Sequence, residues 1–174
     1  VILSDSVYIG QNCFLEDCSV GANTKIKSNS ILKGCNIGSN ALIGPYARIR
    51  PMTSIDNKTQ VGTFVEVKNS NIGSNCKINH LTFIGDSQIM NNVIIGAGSV
   101  TCNYDGKKNQ QTHIKDDAFI GSGVFLVAPL TVGKGATIGS GSVITEDVPP
   151  KKLTLARSRQ ITIKNWKGPK THSE

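Results

Sequence analysis

Aliphatic residues recur every sixth position along most of this chain. One run is Ile37, Ile43, Ile49, Ile55, Val61 and Val67; another is Ile114, Ile120, Leu126, Val132, Ile138 and Ile144. Gly often follows the aliphatic residue, as at Gly38, Gly44, Gly62, Gly121 and Gly139, and a small or β-branched residue sits four after it, as at Ala41, Ala47, Thr53 and Ser142. A six-residue beat of this kind is the signature of a hexapeptide β-helix. Three hexads close one triangular coil, so residues three beats apart stack at ~4.8 Å, the spacing of paired strands. The beat shortens to five residues from Leu15 to Val20, Leu32 to Ile37, Val67 to Ile72 and Ile84 to Ile89. Residues 1–148 are expected to form roughly eight coils.

The aliphatic beat lapses between Ile95 and Ile114. The segment 102–113 (CNYDGKKNQQTH) is polar and holds no aliphatic residue, so it is expected to protrude as a loop. Beyond Pro149-Pro150 the beat ends, and 149–174 reads as a basic arm carrying Trp166. The chain begins inside the repeat without an initiator Met, as expected of a piece of a longer protein.

The stacking turns the sequence into a map. Ile49, Val67 and Ile84 fall on one face, so Arg50 and Lys68, each directly after its aliphatic residue, are expected one coil apart. Like charges facing each other across a sheet repel. An anion between them removes that cost, and Arg and Lys together suit a phosphate; two solvated surface cations remain the alternative. Gly85 takes the same slot in the next coil and is expected to leave open space. His80 lies two residues after Ile78 and points outward by alternation. Ala97 follows it in the same slot, then Ser122 and Ser140 if the loop spans a single corner. A small-residue track beside a His and two cations suits a long, thin ligand. The chemistry implied is direct group transfer with His80 as general base, and Asn103 and Tyr104 at the loop base as hydrogen-bond donors.

Composition narrows the partners. The formal charge is +7 but aromatics are 5%, too few for single-strand stacking platforms; phosphorylated small molecules are the preferred partners, with no nucleic acid and no membrane expected. No apolar run of about 18 residues exists. Four of the five Cys, Cys13, Cys18, Cys35 and Cys76, stand two before an aliphatic beat and read as small buried fillers. No metal-binding spacing appears. Unpaired thiols favour a reducing compartment, and a cytoplasmic location is expected.

Matching motifs are GPYARIRP (44–51), VGTFVEVKNS (61–70), NHLTFIGD (79–86), IGAGSVTCNYDG (95–106) and FIGSGVFLVAPLTVGKGATIGSGSVIT (119–145); of these the CNYDG loop and the NHL-T-x-x-GD segment are specific, whereas the hexapeptide beat is shared by many transferases. On them the chain resembles the C-terminal domain of the bacterial bifunctional N-acetylglucosamine-1-phosphate uridylyltransferase/glucosamine-1-phosphate acetyltransferases. The resemblance implies an all-β, left-handed parallel β-helix, although crossover geometry alone favours the right-handed sense. It implies a homotrimer with sites between subunits. It implies acetyl transfer from acetyl-CoA to the amine of glucosamine 1-phosphate, a step toward UDP-N-acetylglucosamine for peptidoglycan and lipopolysaccharide. His80 is then the base, Arg50 and Lys68 hold the sugar phosphate, and Ala97, Asn103, Tyr104, Ser122, Ser140 and Arg157 meet acetyl-CoA. No metal is implied, and the uridylyltransferase half is not in this chain. Phe83 stands where the family has Tyr and Ile94 where it has Asn, so two polar sugar contacts are lost. An acyltransferase for another amino sugar, or a β-helix trimer scaffold with a decayed site, is the alternative. A zinc hydratase with three His ligands finds only His80 and His113 in the repeat.

Overall fold

Each aliphatic beat residue has its side chain turned into the coil, and its flanking residues turn out, because side chains alternate along a strand. Two- and three-residue strands are all that a six-residue side can hold. They gain stability by pairing with the coils above and below. In a computed structural model describing residues 1–168, they build three parallel sheets of eight, nine and eight strands. The first sheet runs from Ile2–Leu3 to Leu130–Val132, the second from Tyr8–Ile9 to Leu153–Thr154, and the third from Phe14–Glu16 to Val143–Ile144. Every named pairing is parallel between adjacent coils, and the solenoid is a left-handed β-helix of about nine turns. The family resemblance, not the general crossover rule, gave the hand.

The core is the stack of beat residues. Ile26, Leu32, Ile43, Ile49, Ile78, Ile84, Ile120 and Ile138 are fully buried. Most buried hydroxyls at the small-residue slots are satisfied locally, as where Thr24 Oγ1 donates to the Gly38 carbonyl at 2.7 Å and accepts from Ala41 N at 3.0 Å; Thr53 Oγ1 and Thr112 Oγ1 have no partner among the described residues. Cys18, Cys35 and Cys76 are buried as the fillers expected, whereas Cys13, in the open first coils, is only half-buried. All five thiols are unpaired.

Three features differ from the sequence expectation. The beat does not lapse at Ile95: Thr101, six residues on, occupies the inward slot between Ile84 and Leu126 and is buried. Its hydroxyl accepts from Gly85 N at 2.7 Å, so a polar residue fills an aliphatic place by joining the sheet's hydrogen bonding. The protruding loop is therefore shorter, 103–111. Cys102 still pairs with Val127, and Thr112 and His113 already pair with Ser87 and Gln88. Finally, the chain turns back once after Pro149-Pro150, and Leu153–Thr154 pairs with Thr137–Ile138. Residues 169–174 of the expected arm lie outside the described residues.

Candidate active site

The second sheet passes to the third at a corner where His80 stands exposed. Backbone hydrogen bonds step along this corner one coil at a time. Gly98 N donates to the His80 carbonyl, Gly123 N to that of Ala97, and Gly141 N to that of Ser122, each at 2.9 Å. Ser122 N also donates to Ser140 Oγ at 3.2 Å, and Arg157 Nη1 donates to the Ser140 carbonyl at 3.1 Å. The loop interrupts a different corner, so His80, Ala97, Ser122, Ser140 and Arg157 form one uninterrupted column. On the other side of His80, Thr63 N donates to its Nδ1 at 3.0 Å. A neutral imidazole whose Nδ1 accepts must carry its hydrogen on Nε2.

Beside this column the backbone is strained. Tyr46, Phe64 and Leu81 hold φ of 54°, 55° and 59°, a region bulky side chains rarely adopt. The next coils place Gly98, Gly123 and Gly141 there. All three bulky side chains are exposed, and the rings of Tyr46 and Phe64 stack at 5.2 Å. Such strain concentrates at functional sites.

Arg50 and Lys68 occupy the opposite edge of the third sheet. Ile49 pairs with Val67 and Val67 with Ile84, which sets Arg50, Lys68 and Gly85 in one row. Two corrections follow. The cations are not left facing each other, because Glu66, outward on the same strand as Lys68, receives Arg50 Nη1 at 3.1 Å. Arg48 lies 3.9 Å from the same oxygen. The signal for Glu66 was present in its parity with Lys68. These four residues retain two net positive charges, and among the described residues Lys68 makes no ion pair. Nor is the Gly85 slot open: a Cβ there would lie 2.6 Å from Asn103 Nδ2 and 2.9 Å from the Phe83 ring. Gly85 is there because an aromatic edge and an amide close over it.

Asn103 begins the loop at this same edge. Its Nδ2 donates to Asp86 Oδ2 at 2.5 Å. Tyr104 is exposed and bridges antiparallel to Asn109. Asp105 folds the loop on itself, accepting from Lys107 N, Lys108 N and Gln110 Nε2 at 2.8–2.9 Å. The Lys108 amide first, then Gln110 and Lys107, hold its carboxyl down at about 2.

One chain thus gathers the predicted residues in two groups, the His80 column and the Arg50–Lys68–Asn103 edge. Between them lies the outer face of the third sheet, with Glu66 and Phe83 on its strands. Five residues separate His80 from Gly85, ~16 Å of extended chain at most. The long Arg50 side chain reaches back over part of that span to Glu66. Ile94 belongs to neither group; it is half-buried on the second sheet between Lys77 and Phe119. His113 lies on the first sheet, far round the prism from His80. Among the described residues no three His, Cys, Asp or Glu side chains are placed to hold a metal ion, and no helix is long and apolar enough to cross a membrane.

The family described as bacterial transferase hexapeptide (six repeats) matches residues 111–146. Among solved structures, the chain superposes on LpxA from Acinetobacter baumannii with TM-score 0.68 at 17% identity, covering 90% of this chain and 67% of that one. The match to an Arabidopsis UDP-N-acetylglucosamine acyltransferase has TM-score 0.51 at 17% identity, covering 87% and 68%. At these identities the likeness is one of fold. It defines the class, a parallel β-helix built of hexapeptide repeats.

The sequence relatives are more particular. The chain is 47% identical over 169 residues to bifunctional protein GlmU of Janthinobacterium sp. (strain Marseille), 97% of this chain and 37% of that protein. It is 50% identical to GlmU of Herminiimonas arsenicoxydans over the same shares. To that of Nitrosomonas eutropha it is 49% identical over 174 residues, 100% of this chain and 34% of that protein. The chain matches the GlmU relatives over nearly its whole length and spans a little over a third of theirs.

Proposed function

We propose that this chain transfers the acetyl group of acetyl-CoA to the amine of glucosamine 1-phosphate. The observation that carries the reading is the uninterrupted corner column from His80 through Ala97, Ser122 and Ser140 to Arg157. It gives acetyl-CoA a narrow track of small residues, with a base at one end and a cation for its phosphates at the other. Arg50 and Lys68 hold the sugar phosphate, and Asn103 and Tyr104 meet the acetyl group. The sites form between the subunits of a homotrimer. Five unpaired thiols suit a reducing compartment, which supports a cytoplasmic location. No metal enters the reaction in this reading.

The sugar amine attacks the thioester carbonyl carbon and the C–S bond breaks. His80 takes the amine's proton, which then neutralises the departing CoA thiolate. A ring whose Nδ1 is occupied by Thr63 N–H has no open lone pair at Nε2. His80 therefore acts after its ring turns away from Thr63.

The test follows free CoA thiol in a mixture of acetyl-CoA, glucosamine 1-phosphate and the chain. Sugar-dependent release should fall ~10²–10⁴-fold in His80→Ala, the range for a general base, with acetyl-CoA binding kept. Lys68→Ala should chiefly raise the KM for the sugar. Turnover unchanged in His80→Ala would remove the base assignment. A second reading, transfer to a different amino sugar, draws on the Phe83 ring covering Gly85. A panel of amino sugars separates the two, since the second predicts a better substrate than glucosamine 1-phosphate.

A further inference from the structure

We propose that Asp86 is a positioning residue that sets the Asn103 amide and anchors the loop 103–111 over the cation row. This rests on the reading above in one respect, that Asn103 contacts the reacting groups.

Asp86 stands at the corner between the third and first sheets with φ 49°, only 5% exposed. A buried carboxylate is costly unless its oxygens are bonded. Here both are. Oδ1 accepts from Asn69 Nδ2 in the preceding coil, and Oδ2 from Asn103 Nδ2 in the next, each at 2.5 Å. The backbone of Asp86 is committed as well. Its N–H donates to the Lys68 carbonyl at 3.1 Å, and its carbonyl accepts from Thr112 N at 3.3 Å. Asp86 therefore holds the loop's entry with its side chain and the loop's exit with its main chain. Gln110 N closes the neck onto the Asn103 carbonyl at 2.6 Å.

The chemistry of the grip decides the amide's orientation. An ionised carboxylate only accepts, so it can bind the NH₂ of Asn103 but not its carbonyl oxygen. A flipped amide would set oxygen against oxygen. With one N–H committed to Asp86, Asn103 keeps one N–H and its carbonyl oxygen for a ligand. Gly85 makes the room, since a Cβ there would meet Asn103 Nδ2 at 2.6 Å. The row Arg50, Lys68, Gly85 thus ends beneath an amide of fixed sense. The carboxylate responsible touches neither ligand in this arrangement and acts through Asn103.

Asp86→Asn keeps the shape and replaces one acceptor oxygen with a donor, so one of the two amides must lose its partner. On the full chain, with acetyl-CoA and glucosamine 1-phosphate, kcat/KM should fall about ten- to a hundred-fold, the worth of one charged hydrogen bond. The double-mutant cycle with Asn103→Ala decides the route. If Asp86 acts through Asn103, adding Asp86→Asn to Asn103→Ala should change turnover by less than about two-fold. Effects that multiply would overturn the proposal while leaving the acetyltransferase reading intact. Should the unsubstituted chain show no turnover, that reading fails and native tryptic cleavage at Lys107 and Lys108 judges the anchor alone. Cleavage should quicken about ten-fold in Asp86→Asn at an unchanged melting temperature, for a loop released at one end opens locally. Unaltered cleavage would sink the anchor.

Discussion

Phe83 stacks on Glu66 along the third sheet, and its ring edge folds over Gly85 toward the Asn103 amide. An apolar ring there blocks the end of the cation row without offering a polar contact. A hydroxyl at its Cζ would enter the neighbourhood of Asn103, Lys68 and any bound phosphate. Phe83→Tyr should therefore lower the KM for glucosamine 1-phosphate by up to about ten-fold, the value of one ordinary hydrogen bond. The KM for acetyl-CoA should stay put, because the His80 column lies at the other edge of the sheet. Steady-state kinetics with each substrate varied in turn checks this; a change confined to acetyl-CoA would place Phe83 against the wrong ligand. Glu66 bears on the same row. A phosphate binding Arg50 competes with a carboxylate 3.1 Å away, so Lys68 is the cation that meets it at lower cost.

At the scale of the element, the corners govern. The triangular coil turns through left-handed backbone at almost every corner, and ten of the seventeen non-glycine residues with positive φ are Asn or Asp, the types that tolerate it. Lys58 is an exception, with φ 59° at the corner where Asn40, Asn75 and Asn92 stand in neighbouring coils. It is exposed and remote from both site groups. Lys58→Asn should stabilise the protein by roughly 0.5–1 kcal/mol, read as a higher denaturant midpoint with an unchanged slope. These corners also explain what the sequence could and could not tell. Inward stacking was legible because a period of six leaves Ile49, Val67 and Ile84 no other place, and the His80 column followed from the same arithmetic. Thr101 was missed because its slot is recognised by apolarity, whereas its hydroxyl earns the place by hydrogen bonding to Gly85. Leu153–Thr154 was missed because a two-residue strand carries no period of its own. Asp86 escaped because its partners, one coil away, lie seventeen residues off and no local pattern marks them; Glu66 shares the parity of Lys68, but its partner Arg50 lies sixteen residues off.

At the scale of the molecule, the outer faces of the three sheets differ in kind. The first is a polar ladder, Ser19, Asn36, Ser54, Asn71, Gln88, His113 and Thr131 standing coil above coil. The third presents Phe14, Ile31, Phe125 and Val143, each more than 40% exposed, on either side of the Arg48–Glu66 pair. An apolar stripe of that length, although broken by this pair, invites association on a lone chain, and the stripe lies between the two groups of site residues. A heterologous contact through it closes into a ring when its rotation fits, and three copies would bring one chain's His80 column beside another's cation row. Light scattering at micromolar concentration should accordingly give three times the chain mass. Phe125→Glu, a charge in the stripe one coil from its C-terminal end and outside both site groups, should weaken association ~100-fold or more. It should abolish turnover with it, although its circular dichroism stays that of a β-helix. Dissociated chains that still acetylate the sugar would mean that a single prism holds the whole site, with Lys68 reaching across the third sheet to the amine's side of His80.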